Sequence, residues 1–583
     1  MRLQRILKIG IFGLGGALLA LLLLLAWWFT QFDYPTFTNY ILEQFNQPHL
    51  RATFERILPA DRFSLLQNLV WLLPIMSVVV LTFLWWKYPR YSSQFKEFST
   101  AIKRISTAIY QQFSTLPILE KRILIFILAL STILNIWRCA SYPFLYDEIW
   151  TFLYFTRQLP FISLVIYPAP NNHILFSFLT SLSHFVGCAD LWSLRWLNAL
   201  VYPLNILIFW LLHCRLINRK SAIWGTILFA FALPIAFYAT YGRGYQLLLL
   251  FFLINLLTLS YYKVAHWRKA SLVIFTLSGI AGFYTIPTFL YAYAILGGTF
   301  LLTYRHWNDW WQLIKISLFI AIVVVILYSP IYLIYGSFGN LSDQLVTIVM
   351  STPLMWWSKT AEYMLKVLRF LGANQLWGVL LFLNALVCSS YFFNKRRYRF
   401  LSYLTWTSLL LPIIAFSLQS VAIPERTWIF ICVPLSINGG WLLHQFAISI
   451  QSKWITIIPI PLLTILFIYF QNNSAYWSGI YQNTVSCQRT AIQLSKSGNR
   501  SYFINNESIK PFLTYYHLEQ SPPPTIKMTQ RSSVDYHQLT AMDKFDILIF
   551  TTKEKLPEMP TSFWKNYQEI ESDVYRKVFK YQQ

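Results

Sequence analysis

Charge is scarce in this chain, and acid scarcer than base. Asp, Glu, Lys and Arg make up 12% of 583 residues, with 23 acids against 47 bases, while 56% of the chain is hydrophobic. A soluble multidomain protein of this length needs far more charge to cover its surface, so that class is excluded. Cysteine is sparse too. The six (Cys139, Cys188, Cys214, Cys388, Cys432, Cys487) show no Cys-x-x-Cys or ligand spacing and mostly fall in apolar runs, which gives no support for a disulfide framework or a cysteine metal site. No internal repeat stands out. The first apolar run, within residues 1–30, lacks an Ala-x-Ala exit and ends in Trp27-Trp28-Phe29, as an interfacial anchor does, so a retained first helix is expected rather than a cleaved signal peptide.

What the chain has is aromatic and aliphatic bulk: 24 Trp, 36 Tyr, 47 Phe and a mean hydropathy of +0.47. This is an all-α polytopic membrane protein. A span needs about 20 apolar residues, and about thirteen candidates follow at 6–30, 65–87, 122–141, 194–214, 221–240, 245–263, 270–286, 288–304, 313–335, 376–394, 399–418, 428–448 and 454–471. The net charge of +24 gathers in short loops between them, which points to topology and anionic lipid and argues against nucleic acid. With Arg2 and Arg5 cytoplasmic, the basic segments 87–122, 215–220, 263–269, 305–315, 395–399 and the turn at Lys453 all fall on the same side. The loop holding Asp147 and the tail after residue 470 then lie outside the cytoplasmic (inner) membrane. Residues 147–158 and 173–186 are expected as two interfacial helices.

Three parts are expected. Residues 1–118 hold two transmembrane helices and a basic cytoplasmic linker, 119–471 form the transmembrane module, and 472–583 form a small exported C-terminal α/β domain. Composition turns polar in the last part, with Ser-Gly-Asn at 497–499, Pro522-Pro523-Pro524 and β-like runs at 501–505 and 545–551.

The polar residues that interrupt this apolar background are the functional candidates. Asp147 and Glu148 follow directly on a span, and acids cost free energy near hydrocarbon. An outward aspartate there can take a proton from a hydroxyl nucleophile, or it can simply cap the next helix with Glu148 in its first turn. His173, ending Pro-Ala-Pro-Asn-Asn-His, can donate a hydrogen bond to a phosphate or to Asp147, or can follow an Asn172 cap. Arg243, in Tyr-Gly-Arg-Gly-Tyr with Tyr245, can approach an anion closely or snorkel to headgroups. Arg426 opens the twelfth span, where phosphate binding and an ion pair with Glu425 compete. Lys359 and Lys366 are weaker phosphate candidates. Zinc lacks ligands at regular spacing; no cofactor is called for, and a divalent cation held through Asp147 or Glu148 oxygens stays open.

Together these residues resemble the GT-C membrane glycosyltransferases. The likeness is carried by an Asp-Glu pair after a span, two interfacial helices with a His-Ile-Leu entry to the second, and a Leu-Arg-Trp-Leu-Asn-Ala span start at 194–199. It is nearest the branch of the protein O-mannosyltransferases and the lipid A aminoarabinose transferase, and covers about residues 119–304 plus, loosely, the Arg426 turn. The resemblance implies a GT-C-like fold, a polyprenyl-phosphate-linked sugar as donor, an acceptor hydroxyl on glycan, lipid or protein, and inversion at the outer face. It implies Asp147 as general base with Glu148 as its partner, and His173, Arg243, Tyr245 and Arg426 around the donor phosphate. Ile174 stands where the family pattern has proline, and the turn at Arg243 lacks the family's acid. The rival expectation is a transporter or flippase of lipid-linked glycans, which favours repeats and midplane polar groups over residues gathered at one face.

Overall fold

The computed structural model describes residues 2–44, 58–72, 110–167, 172–264, 267–335, 353–419, 423–449, 459–473, 475–496, 501–504, 509–517, 525–528, 545–551, 566–572 and 576–582, with scattered positions between 51 and 107. Pro170 and Asn171, most of the basic segment 87–109, residues 336–352, Lys453, 497–499 and 522–524 lie outside the described residues.

Helices dominate the first 496 residues. α1 (Arg2–Thr30) bends sharply into α2 (Tyr34–Gln44), and α3 covers Ala60–Phe83. α4 (Ile118–Ser141) leads to the short α5 (Tyr146–Thr151), a π-helical turn (Phe152–Thr156), α6 (Ile162–Val165) and α7 (Ile174–Phe185). Then come α8 (Asp190–Leu216), α9 (Arg219–Phe231), α10 (Leu233–Thr240), α11 (Tyr245–Tyr261), α12 (Arg268–Thr285) and α13 (Phe289–Thr303). α14 (Trp307–Tyr335), α15 (Pro353–Leu371), α16 (Gln375–Phe393) and α17 (Arg399–Gln419) follow. A 3-10 stretch (Glu425–Ile431) opens α18 (Cys432–Ser449), before α19 (Pro459–Asn473) and α20 (Ala475–Lys496).

Over their described residues the expected spans coincide with helices or helix pairs, and the count of thirteen is not reproduced by helix length and composition. Among the described residues seven helices are long and apolar enough to cross a membrane, or nine if each bent pair is one span. α11 and α13 have 17 and 15 residues, short of the roughly 20 a bilayer asks for. α11 is apolar all round because it is sheathed by other helices, with Leu248, Phe252, Leu253 and Leu256 fully buried, and in a sequence this looks the same as contact with lipid. The expected span 221–240 is bent by 53°. Ala232 at the break is extended (ψ 129°), and Pro234 sits in the first turn of α10, where its missing N–H does no harm. Small residues let helices close on one another: a Cβ on Gly440 of α18 would stand 2.4 Å from the backbone of Gly225 in α9.

At the Asp190 end of α8 the polar tail joins the bundle. β1 (Ser501–Ile504), α21 (Lys510–Tyr516), β2 (Thr525–Met528), β3 (Ile547–Thr551), β4 (Tyr567–Ser572) and β5 (Arg576–Tyr581) build a five-stranded sheet of order β2-β1-β3-β5-β4. β1 pairs in parallel with β2 and β3, while β3–β5 and β5–β4 are antiparallel. The β-like runs of the sequence are β1 and β3. β2, β4 and β5 are not expected from the sequence; Glu569, Glu571, Lys577 and Lys580 make the last two look like loop. Tyr515 of α21 donates to Asp190 Oδ2 at 3.0 Å and sets its ring edge-on to Phe144 and Phe152.

Candidate active site

Glu148 is fully buried, and so is its partner. Arg195, the sixth residue of α8, donates Nε to Glu148 Oε1 at 2.8 Å and Nη2 to Oε2 at 2.7 Å. Its remaining donors go to the carbonyls of Cys139 (2.9 Å), Tyr142 (2.8 Å) and Pro143 (2.9 Å), so all five guanidinium N–H groups are used. Glu148 also accepts from the backbone N–H of Leu145 (2.9 Å) and of Gly242 (2.6 Å). The Phe144 and Tyr241 rings cover the guanidinium at 5.6 and 5.2 Å. A charge so deep is tolerated because every lone pair and proton has a partner. The pair ties the end of α4, the start of α5, α8 and the Gly242 turn into one knot. Arg195 is not among the sequence candidates although it stands in the Leu-Arg-Trp-Leu-Asn-Ala span start; an arginine inside an apolar run is itself the signal that finds it.

The Gly-Arg-Gly turn hangs on that knot. Asn198, one turn beyond Arg195, points its amide N–H₂ at the carbonyls of Tyr238, Tyr241 and Arg243 (3.1, 2.6 and 3.0 Å). Neither flanking glycine has a left-handed backbone; both are needed for space. A Cβ on Gly242 would lie 2.9 Å from Leu194 Cβ and 3.2 Å from Glu148 Oε1, and one on Gly244 would lie 3.0 Å from the His173 ring. Arg243 is therefore held between the carboxylate knot and the imidazole. Its Nη1 donates to Thr151 Oγ1 (2.8 Å) and to the Asp147 carbonyl (3.2 Å), while Nη2 stands 3.3 Å from His173 Nε2.

His173, not Asn172, is the N-cap of α7; Asn172 is buried and binds the carbonyls of Ser163 and Ile166, both at 2.9 Å. The Gly244 N–H donates to His173 Nδ1 at 2.8 Å, which places the proton of the neutral ring on Nε2. The approach of Nε2 to Arg243 is then a close packing of two donors behind the cavity that Arg243 lines; His173 itself is buried and does not line it. Burial first, then the charges of Arg243 and Arg426, hold this imidazole well below its ordinary pKa, so it is neutral. Tyr245 lies a layer behind, buried, its ring edge-on to His173 at 5.1 Å and tilted on Tyr238 at 4.4 Å.

Asp147 and Arg426 meet at the mouth. α5 starts at Tyr146 with Leu145 as N-cap, so Asp147 does not cap; instead Glu148 reaches back to the Leu145 N–H. Asp147 Oδ2 stands 3.7 Å from Arg426 Nη1, with both side chains partly exposed. The 3-10 stretch that carries Arg426 is fixed by Trp428, whose Nε1 donates to Tyr363 Oη at 2.6 Å, and Tyr363 in turn donates to the Ile423 carbonyl. Asp147, Arg243 and Arg426 line one cavity of about 240 Å³, with Tyr146, Tyr238, Tyr241 and Glu425. Residues the sequence gives no reason to include line it too: Ile480, Asn483, Thr484 and Cys487 of α20, and Phe512 of α21. Lys359 and Lys366 do not join it; both pair with Glu362 on the exposed face of α15, at 3.2 and 2.9 Å.

The bent pair α9–α10 serves two spaces. Phe237 and Tyr238 line the charged cavity, and Phe231, Ala232 and Leu233 line an apolar one of about 420 Å³ between α9, α16, α18 and α19. Among the described residues no group of three or more His, Cys, Asp or Glu is placed to hold a metal ion.

No protein-family model and no curated protein sequence matches this chain. Among solved structures it is similar to ArnT from Cupriavidus metallidurans bound to undecaprenyl phosphate, with 12% identity and a TM-score of 0.49 over 78% of this chain and 97% of that one. It is also similar to the Archaeoglobus fulgidus oligosaccharyltransferase with zinc and sulfate (14% identity, TM-score 0.41, 69% of this chain and 57% of that one). A third match is AglB of the same organism with an inhibitory peptide and a dolichol-phosphate (13%, 0.41, 70% and 60%). These are GT-C fold members, the fold the sequence resembles.

Proposed function

We propose that this chain is a membrane glycosyltransferase that moves a sugar from a polyprenyl-phosphate donor to an acceptor hydroxyl. The single observation behind this is the convergence of one partly exposed carboxylate, Asp147, with two arginines from distant segments, Arg243 and Arg426, on a small cavity; the same bent helix pair also lines an apolar cavity. The arginines suit a phosphate, which they can hold bidentately, and the apolar cavity suits part of a prenyl chain. Asp147 takes the proton of the acceptor hydroxyl as its oxygen bonds to the anomeric carbon. The bond from that carbon to the phosphate oxygen breaks on the opposite side, inverting the centre, and the lipid phosphate leaves with its charge met by Arg243 and Arg426, while the buried His173 ring packs behind Arg243 and helps to position it. Glu148 serves as the anchor of this arrangement and not as a second base.

The outer face of the membrane is supported by where the basic loops gather. Arg215 reaches the Ser260 carbonyl, Arg268 reaches Asp309, Arg305 reaches Tyr403 and Arg397 reaches the Ile217 carbonyl. Arg215 stands 20 residues of helix from Arg195, about 30 Å at 1.5 Å each, so these cations collect at the end away from Asp147.

The test is mass spectrometry of cell-envelope glycans and lipids from a strain lacking the gene, complemented with wild type or Asp147→Asn. Wild type should restore a missing sugar and Asp147→Asn should not, with equal amounts of folded protein. Restoration by Asp147→Asn would remove it from the chemistry.

A further inference from the structure

Part of the wall of the cavity that the arginines line comes from the C-terminal part of the chain, and it is of a different chemical kind. Arg243 and Arg426 offer charge; α20 and α21 offer an amide, a hydroxyl and an aromatic ring, those of Asn483, Thr484 and Phe512. The orientation of the amide is set from behind. Arg576 of β5, with no exposed surface, donates Nη2 to Asn483 Oδ1 at 3.3 Å and approaches the Asn483 carbonyl at 3.5 Å. Arginine has only donors, so the oxygen of the Asn483 amide must face it. The same oxygen lies 3.8 Å from Cys487 Sγ. Asn483 is half-buried and lines the cavity, so its N–H₂ is the end left for whatever enters.

We infer that Asn483 and Thr484 form a subsite that reads the hydroxyl groups of the transferred sugar, so that the C-terminal unit sets sugar specificity while the membrane module holds the lipid phosphate. This rests on the donor assignment proposed above. A cavity of about 240 Å³ is smaller than the ordinary range for whole drug-sized ligands and fits a sugar-phosphate head rather than a lipid. With the phosphate on the arginines, the sugar bonded to it meets the α20 wall. Neutral donors and an aromatic face suit uncharged hydroxyls and ring C–H groups, and a misfit hydroxyl would leave a partner unsatisfied, which is where discrimination comes from.

The experiment is binding of the purified full chain in nanodiscs to undecaprenyl phosphate and to a panel of undecaprenyl-phosphate glucose, galactose, mannose, arabinose and aminoarabinose. Wild type should bind at least one sugar-bearing lipid about tenfold more tightly than the bare phosphate. Asn483→Ala and the near-isosteric Thr484→Val should each lose most of that increment and leave the affinity for undecaprenyl phosphate unchanged; two variants guard against one that folds poorly. Arg243→Ala should weaken the bare lipid and the sugar-bearing lipids alike. An increment kept in both wall variants, or no increment in wild type, overturns the subsite. If Arg243→Ala leaves undecaprenyl phosphate binding intact, the donor assignment itself fails, whatever the wall variants do.

Discussion

Replacing Glu148 with Gln separates an anchoring role from a catalytic one. The carboxylate accepts four hydrogen bonds, two on each oxygen: Arg195 Nε and Gly242 N–H on Oε1, Arg195 Nη2 and Leu145 N–H on Oε2. A glutamine keeps one oxygen as acceptor and turns the other into a donor, so whichever way it sits two N–H groups face an N–H₂. Arg195, with no exposed surface, loses its counter-charge at the same time. Removing one member of a buried ion pair costs about 3–5 kcal/mol, and losing two hydrogen bonds to a charged group at about 1.5–3 kcal/mol each gives a similar sum. The assay is unfolding of the purified protein in nanodiscs, followed by intrinsic fluorescence against temperature and denaturant, with transfer activity measured on the same samples. Glu148→Gln should unfold far more readily than wild type, and Arg195→Met should do so to a similar degree. The double variant Glu148→Leu/Arg195→Met should be less damaged than the two single effects combined, because no lone charge is left inside. A Glu148→Gln protein with wild-type stability and no activity would refute this reasoning and put Glu148 in the chemistry.

Asp147→Asn should keep wild-type stability, since its 3.7 Å contact with the partly exposed Arg426 is a loose pair of the kind that contributes little, while transfer falls by about a hundredfold or more. Gly242→Ala and Gly244→Ala should both displace Arg243, the first against Leu194 and Glu148 and the second against His173, and weaken undecaprenyl phosphate binding; binding like wild type in both would show that the turn has slack. His173, with its folded-state pKa depressed below the usual 6.5, contributes stability that is complete above that pH. That stability declines as pH falls through about 6.5, where the unfolded chain takes up a proton and the folded one does not. Urea midpoints of wild type and His173→Gln compared between pH 8 and 5 should converge toward low pH. Lys359→Ala and Lys366→Ala should change neither activity nor binding, because both side chains pair with Glu362 away from the cavity.

The charged part of the site was legible because isolated polar residues stand out against apolar runs. Asp147, Arg243 and Arg426 were each picked on that ground, and the fold brings them to one cavity. Adjacency misled in the case of Glu148: next to Asp147 in the chain it looked like a functional twin, but a helix turns about 100° per residue, so neighbours face different ways. Arg195 hid in the opposite manner, 47 residues from the acid it neutralises and inside a span whose hydropathy absorbed it. Neutral residues of the cavity wall give no signal. Asn483 and Thr484 lie more than 330 positions after Asp147 in a helix whose polarity suggested only solvent, and nothing short of tertiary structure reveals that this helix covers the cavity. The helices themselves were found from hydropathy, yet hydropathy could not tell α11, wrapped by protein, from a helix wrapped by lipid.

The knot of Glu148, Arg195 and Gly242 also limits how this protein can diverge. Any one of the three positions altered alone strands a charge or drives a methyl group into a carboxylate, so drift at one site is stalled until the others follow. Related chains are expected to inherit the trio intact or to have exchanged it wholesale, and a search that tracks the three positions jointly will find kin that overall identity passes over.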